Sequence, residues 1–324
     1  MEVNRPVSKL SGKLRRRLFG ISEREAKFGR RGFPAETEMV AHLEGLGVTF
    51  IRGYSAGLEA DSQADLAEVL DQTDDELVGF AYEGASMALA LMDILTPWNR
   101  NRVKTFLSGP GERHLYMVHI GAGWALARMG RAVEPFLKRC DPLYRWLVMD
   151  GYGFHQGYFH WPRYIEQRQP ESKLTGYAVR AFDQGLGRAI WFVSGADLET
   201  ATATALTFPE KRRSDLFSGI GLAAAYAGKP RPDDFQKWLA LSPEYLLPIR
   251  QGVAFAAKAR QRARNPAAHT DNACMKLCGL TASEASACTD EALKGLPEGT
   301  DATPAYEVWR QRLQTIMTEE KTTT

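Results

Sequence analysis

The sequence is poor in cysteine, with four residues in 324: Cys140, Cys274, Cys278 and Cys288. None of them forms a Cys-x-x-Cys pair, the spacing that structural zinc sites and redox motifs use. So few thiols also do not suggest a disulfide framework, which needs a dense set of cysteines in a small secreted domain. We therefore expect reduced cysteines with a structural role.

An excess of charge of one sign is also missing. The chain has 41 Lys and Arg against 39 Asp and Glu, a net charge of +2. Proteins that bind nucleic acid carry a marked basic surface, so nucleic acid is not an expected partner. The most basic stretch, residues 9–31, is interrupted by Glu23 and Glu25, and we expect it to be a solvated or frayed N-terminal arm rather than a specific contact with an anion or a membrane.

Long apolar runs are absent as well. No stretch of about 18 uncharged apolar residues, the length that crosses a bilayer, occurs in the chain. The N-terminal residues lack the apolar centre of a secretory leader. We expect a cytoplasmic protein that does not span a membrane.

Motifs of common cofactor and nucleophile sites are lacking too. No G-x-S-x-G elbow, phosphate-binding loop or dinucleotide fingerprint occurs in the strand and helix context that these motifs require. The segments Gly185–Gly187 and Gly219–Gly221 resemble nucleotide loops, but they fall in the middle of expected helices. No helix has two histidines four residues apart, the spacing of a helical zinc site. The sequence thus identifies no cofactor-binding or metal-ligating residue, although ligands from different repeats remain an open alternative.

What the sequence does contain is a recurring glycine, followed two places later by a small residue. The six copies lie 30 to 37 residues apart: Gly84, Gly121, Gly151, Gly185, Gly219 and Gly252. A period of about 34 residues accommodates two antiparallel helices and their turns. Because glycine costs about 1 kcal/mol in a helix interior, six such residues indicate close packing or room for a ligand.

The sequence therefore predicts an all-α protein of tandem helical hairpins, similar to a tetratricopeptide (TPR-like) solenoid. A coarser period of 101 residues, which relates Gly84 to Gly185, suggests two halves of three hairpins each. The expected division is an N-terminal arm and mixed segment, two helical-repeat halves, and C-terminal helices with a tail: residues 1–72, 73–172, 173–270 and 271–324. Within the first segment, residues 48–51 are expected to form a short extended piece.

One copy of the repeat carries a histidine on an otherwise small-residue face. Four places after the glycine the other copies have alanine, and this copy has His155. His160 follows five residues later. A titratable group at such a position predicts a pocket, and the alternative is a histidine that only packs.

The residue before the glycine is polar in four copies: Glu83, Asp150, Gln184 and Gln251. These side chains either point to one shared surface or form buried hydrogen bonds within the helices. Glu83 and Asp150 are the candidates for acid–base catalysis. His119 and Asp183, each near an arginine on its own helix, complete the set of candidate catalytic residues.

Five blocks of the sequence resemble a bacterial family catalogued as a domain of unknown function, DUF1702. They are YEGASMALALMD (82–93), HIGAGWALARM (119–129), MDGYGFHQGYFH (149–160), DQGLGRAIWFVSGAD (183–197) and FPEKRRSDLFSGIGLAAAYAG (208–228). The resemblance covers residues 10–295. Members of this family are encountered beside enediyne polyketide synthase genes, together with a large propeller-type protein and a membrane protein.

The resemblance implies an accessory protein that helps to convert a linear polyene into an enediyne core. We expect an enzyme that binds a hydrophobic polyene or polyyne in a groove of the helical array, with a propeller-type partner protein from the same pathway. The abundant aromatic residues of the repeat segments suit such a ligand. The alternatives are a non-catalytic scaffold for a partner enzyme and a carrier that shields a reactive intermediate.

Overall fold

The computed structural model describes residues 9–35, 38–96, 98, 100–130, 133–230, 232–241 and 243–319. Within these ranges every regular element is helical, which confirms the all-α class. The α-helices are α1 (Lys9–Phe19), α2 (Phe28–Arg31), α3 (Val40–Glu59), α4 (Gln63–Leu70), α5 (Val78–Leu95), α6 (Arg102–Leu107), α7 (Leu115–Met129), α8 (Val133–Leu137), α9 (Arg145–Phe159), α10 (Tyr177–Val193), α11 (Leu198–Leu206), α12 (Glu210–Tyr226), α13 (Pro232–Leu241), α14 (Leu246–Ala263), α15 (Ala268–Ala273), α16 (Ala282–Leu293) and α17 (Ala305–Glu319). Single 3-10 turns (Glu23–Ala26, Glu112–His114, Pro243–Tyr245) and π turns (Pro162–Glu166, Cys274–Cys278) complete the list.

The six recurring glycines lie on α5, α7, α9, α10, α12 and α14, and each of these helices packs on the next. The contact is backbone against backbone. A methyl group on Gly121 would overlap the carbonyl oxygen of Glu83, and one on Gly185 would overlap that of Asp150. From Gly121 onward, each repeat glycine faces the carbonyl of the residue just before the glycine of the preceding helix. The predicted close packing is confirmed.

Successive long helices run in the same direction where they touch. Gly153 faces Phe182, and Gly157 faces Leu186 and Ala189. The partners advance by one helical turn on both helices, as parallel packing requires. The chain has to return between two parallel helices, and the short helices α6, α8, α11 and α13 lie in these connections.

The N-terminal segment differs from the prediction. Residues 48–51 are not extended, because they lie within the 20-residue helix α3. Gly53 of α3 faces the carbonyl of Ala81 on α5, so α3 belongs to the same array of close-packed helices. Residues 9–19 are not a frayed arm, because they form α1, which packs on α3. Arg15 Nε donates to the Leu58 carbonyl at 2.6 Å and Nη2 to the Ala60 carbonyl at 3.0 Å, while Lys13, Arg16 and Arg17 are exposed.

The C-terminal segment contributes more structure than the sequence suggested. Residues 305–319 form α17, which packs against α14 and α16 and buries Tyr306, Trp309 and Leu313. Helices were expected from residue 271 onward, and there α15 (Ala268–Ala273) runs into the π turn Cys274–Cys278 and α16 follows. The division into two three-hairpin halves stays a prediction.

Among the residues that the structure describes, one helix is long and apolar enough to cross a membrane, namely α5. The window that meets this test is 89% buried inside the protein, packed against α3 and α7. Core helices of globular proteins meet the same criterion of length and composition, so α5 is explained by its place in the core.

We predict that Gly185→Ala destabilises the protein by about 3 kcal/mol or more, because the methyl group has to displace the Asp150 backbone. Gly45 is the matched control, since it lies on α3 with nothing within 4 Å of an added Cβ. Gly45→Ala should be neutral or stabilising by up to about 1 kcal/mol. Urea unfolding followed by circular dichroism measures both, and equal effects would contradict backbone-to-backbone packing at Gly185.

Candidate functional site

Aromatic side chains from the long helices enclose a narrow space that we call the aromatic cavity. Its volume is about 40 Å³, enough for a few water molecules only. Two carboxyl side chains, Glu25 and Glu83, belong to the lining. The lining residues are Ile21, Glu25, Ala26, Leu46, Gly47, Phe50, Ile51, Phe80, Glu83, Trp124, Phe154, Tyr158, Phe159 and Phe192.

The two carboxyl groups of the aromatic cavity differ in burial. The Glu25 side chain is 24% exposed and pairs with Arg30 and Arg31. Glu83 lies in the middle of α5, immediately before Gly84, and is 1% exposed. Its Oε1 has no hydrogen-bond partner among the described residues. Glu83 is therefore the acid that a molecule inside the cavity would meet.

The surroundings of Glu83 bring the pKa of its carboxyl group close to neutral pH. Burial raises its pKa to about 7, the negative charge of Asp150 adds to this rise, and the positive charge of Arg188 opposes it. Arg188 Nη2 lies 4.0 Å from Glu83 Oε1. The Trp124 indole also favours the ionised form, although its N–H does not reach hydrogen-bond geometry. A carboxyl group with this pKa can both give and take a proton at pH 7.

Asp150 occupies the corresponding position on α9 but is used differently. Its Oδ1 accepts a hydrogen bond from Arg188 Nη1 at 2.5 Å, and its Oδ2 accepts one from Gln184 Nε2 at 2.8 Å. Gln184 Nε2 also donates to the Tyr306 hydroxyl at 3.1 Å. These groups are buried and lie outside the lining of the aromatic cavity. Asp150 is therefore placed as the counter-ion of Arg188.

The polar core extends toward α17 through Arg310. This fully buried guanidinium donates from Nε to Gln251 Oε1 at 3.0 Å and from Nη1 to Asp215 Oδ1 at 2.7 Å. Gln251 Oε1 also accepts a hydrogen bond from the Ser218 hydroxyl at 2.9 Å. Two of the polar residues that precede a repeat glycine, Gln184 and Gln251, thus form buried hydrogen bonds rather than a shared open surface.

His155 lies behind the wall of the aromatic cavity and not in its lining. Its ring centroid is 5.6 Å from that of Trp124 and 4.8 Å from that of Phe159, and Nδ1 contacts Gln156 Oε1 at 3.3 Å. Burial lowers the pKa of His155 to about 3, so the ring is neutral at pH 7. His160 is exposed at the end of α9, with its ring centroid 6.2 Å away. The two histidines are not in hydrogen-bond contact.

The remaining candidates lie in other parts of the molecule. Asp183 accepts two hydrogen bonds from Arg212, from Nε at 2.9 Å and from Nη2 at 2.5 Å. His119 lines a different cavity. Of the six candidate catalytic residues, Glu83 is the one in the lining of the aromatic cavity. Across the part of the chain that the structure describes, no three His, Cys, Asp or Glu residues are grouped as metal ligands.

Arg188 sets the charge of the site, but from the sequence it was noted only as the arginine near Asp183. It lies three places after Gly185, where every other copy of the repeat has a large apolar side chain: Met87, Trp124, Phe154, Leu222 and Phe255. A single charged residue at an otherwise apolar repeat position was the available signal. The C-terminal helix α17, which supplies Tyr306 and Arg310, gave no repeat signal at all.

The fold and the site together define an all-α protein whose parallel long helices meet at glycines and enclose one buried carboxyl group in an apolar cavity. The family model described as a protein of unknown function (DUF1702) matches residues 10–317, and the chain belongs to that family. No curated protein sequence and no solved structure is significantly similar to the chain.

We predict that Glu83 makes stability depend on pH. The pKa of Glu83 is raised from 4.5 to about 7 on folding, so its contribution is fully present below pH 4.5 and is lost as the pH rises to about 7. The free energy of unfolding should fall by up to about 3 kcal/mol over this interval relative to Glu83→Gln. Urea titrations of both proteins from pH 4 to 8 measure the difference, and parallel profiles would show that Glu83 is ionised when folded.

We also predict that Arg188→Met destabilises the protein by about 3–5 kcal/mol, because Asp150 is left as a buried unpaired charge. The second change Asp150→Asn should restore most of this loss, since it removes that charge. Thermal unfolding of the two single variants and the double variant tests the coupling. Additive losses would mean that the pair is not electrostatically linked.

Proposed function

We propose that this protein is an accessory enzyme of polyketide natural-product biosynthesis that binds a hydrophobic polyene or polyyne in the aromatic cavity. Glu83 acts as its general acid and general base. The observation that carries this proposal is the Glu83 carboxyl group, buried in an aromatic lining with an oxygen that makes no hydrogen bond among the described residues. The enediyne setting rests on the family resemblance described above.

The chemistry that such a site supports best is a proton shift along a conjugated chain. The ionised Glu83 removes a proton from a carbon next to the double bonds, and the electron pair of the broken C–H bond spreads over the chain. The carboxyl group then returns the proton to another carbon, so that a double bond changes place. The proton removed from one carbon is added to another, so the substrate is isomerised without being oxidised or reduced and Glu83 is regenerated. General acid–base catalysis of this kind contributes about 10²–10⁴-fold to a rate.

Binding requires the cavity to widen, because about 40 Å³ does not hold a polyene. Ile21, Glu25, Gly47 and Phe159 are the half-buried members of the lining, and we assign the opening to the side on which they lie. Residues deeper in the wall, such as Phe50 and Phe154, are held between long helices. The opening therefore lies on the side of the segment between α1 and α2.

A carrier that shields a reactive polyene would use the same cavity, and a scaffold would not need one. The enclosed apolar space therefore favours an enzyme or carrier over a scaffold. We further propose that the alternating long and short helices form a solenoid of tandem repeats similar to TPR arrays. We also propose that the protein lies in the cytoplasm and that its partner is a propeller-type protein of the same pathway. The glycine contacts between consecutive long helices support the repeat.

We predict that the protein binds diphenylhexatriene, a neutral polyene that fluoresces when it leaves water, and that Ile21→Trp weakens this binding at least tenfold by filling the opening. Ile316→Trp is the matched control, because Ile316 is a half-buried isoleucine on α17 outside the cavity lining. It should bind like the wild type. Fluorescence titration gives all three affinities, and equal binding by the two tryptophan variants would place the ligand elsewhere.

The variant Glu83→Gln separates the enzyme from the carrier, because it keeps the size of the side chain and removes its proton chemistry. If the protein is an enzyme, the purified Glu83→Gln variant should still bind the polyene. A strain whose chromosomal copy carries this variant should make about 100-fold less pathway product or lower. Mass spectrometry of the culture extract measures the product. Unchanged product with unchanged binding would remove Glu83 from the proposal and leave the carrier.

A further inference from the structure

A second cavity lies between α6, α7, α8 and α9, and we call it the His119 cavity. Its volume is about 520 Å³, within the range of small-molecule sites. It shares no lining residue with the aromatic cavity. Leu115, His119 and Ala122 follow one face of α7 into the His119 cavity, while Trp124 on another face of α7 lines the aromatic cavity.

At the inner end of the His119 cavity, His119 has a ring nitrogen that accepts no hydrogen bond from the described residues. His119 is 5% exposed, and its Nδ1 lies 2.8 Å from the carbonyl oxygen of Leu115. A carbonyl only accepts, so Nδ1 carries the proton and Nε2 presents its lone pair. Burial lowers the pKa of His119, which keeps the ring in this neutral form. Around it the wall is apolar, with Leu115, Ala122 and Val148.

The outer end of the His119 cavity is positively charged. Arg100 and Lys104 belong to the lining and are both exposed. Arg139, also in the lining, is directed to the Arg100 carbonyl by a hydrogen bond of 2.8 Å from Nη2. An anionic group at this end would meet the exposed cations Arg100 and Lys104.

The two carboxylates of the same lining are engaged in the fold. Asp93 accepts hydrogen bonds from the backbone amides of Arg102 and Val103, at 3.1 Å each, and so holds the start of α6. Asp141 accepts from the backbone amides of Leu143 and Tyr144, at 2.8 and 3.1 Å. Their negative charge is partly offset by these donors, which leaves the mouth with a basic character.

We propose that the His119 cavity binds a medium-chain carboxylate that carries a hydroxyl group at its far end. The carboxylate lies between Arg100 and Lys104, and the chain follows the apolar wall. The hydroxyl group donates its hydrogen bond to His119 Nε2. This ligand matches the polarity of the cavity at both ends and along its length, and the site is independent of the function proposed for Glu83.

Isothermal titration calorimetry with three probes tests the proposal: ω-hydroxydecanoate, decanoate and 1-decanol. The hydroxy acid should bind with a Kd below about 1 mM. Decanoate should bind about 2- to 10-fold more weakly, the value of one neutral hydrogen bond. Decanol should bind more weakly than decanoate. Equal affinity for all three probes, or no binding of the hydroxy acid, would overturn the proposal.

Variants assign the two ends of the ligand. His119→Phe keeps an aromatic ring beside Tyr144 and should abolish the preference for the hydroxy acid over decanoate. Lys104→Gln should weaken both acids about 2- to 5-fold and reduce the salt dependence of binding. Lys211→Gln, an exposed lysine on α12, is the control and should change nothing.

One further variant guards against loss of folding at the buried histidine. Leu107→Trp narrows the His119 cavity from its half-buried side and leaves His119 in place. It should weaken the hydroxy acid at least tenfold while thermal unfolding stays as in the wild type. Undiminished binding by a folded Leu107→Trp protein would show that the ligand occupies another site.

Discussion

The structure depends on the contact between a glycine Cα on one long helix and a backbone carbonyl on the preceding one. At Gly121 and Gly185 there is no room for a Cβ, so the helix backbones approach as closely as Cα–H···O contacts allow. The contact recurs at every long helix from α3 to α14. The side chains that flank it, one place before and three places after the glycine, are therefore forced into the interior.

Burial of those positions explains the electrostatics of the candidate site. Arg188 brings a positive charge into the core, and two carboxyl groups face it. Asp150 forms the direct pair, while Glu83 is farther away and makes no hydrogen bond to it. One cation does not stabilise two buried anions equally. Glu83 is therefore the group that keeps its proton up to about pH 7.

Local sequence was enough for much of this fold and for little of the site. The glycine spacing located six long helices, because the close backbone contact at each of them requires a glycine and the glycines are visible in the sequence. Helix α3 was missed although Gly53, Ser55 and Gly57 repeat the small-residue pattern, since its apolar residues also suit a strand. The sequence did not distinguish the role of Glu83 from that of Asp150, because both residues directly precede a repeat glycine. Their difference comes from the distance of each carboxyl group to Arg188, which only the packing of three helices determines.

The position of Phe154 shows why the cation and the cavity coexist. Arg188 Cζ lies 4.6 Å from the centroid of the Phe154 ring, and the same ring lines the aromatic cavity. The ring therefore separates the guanidinium from an apolar ligand and binds the cation through its face. Arg188 still lies close enough to Glu83 to limit the cost of ionising it. Without that cation, burial beside Asp150 would hold the proton on Glu83 well above neutral pH, and the carboxyl group would no longer exchange protons under physiological conditions.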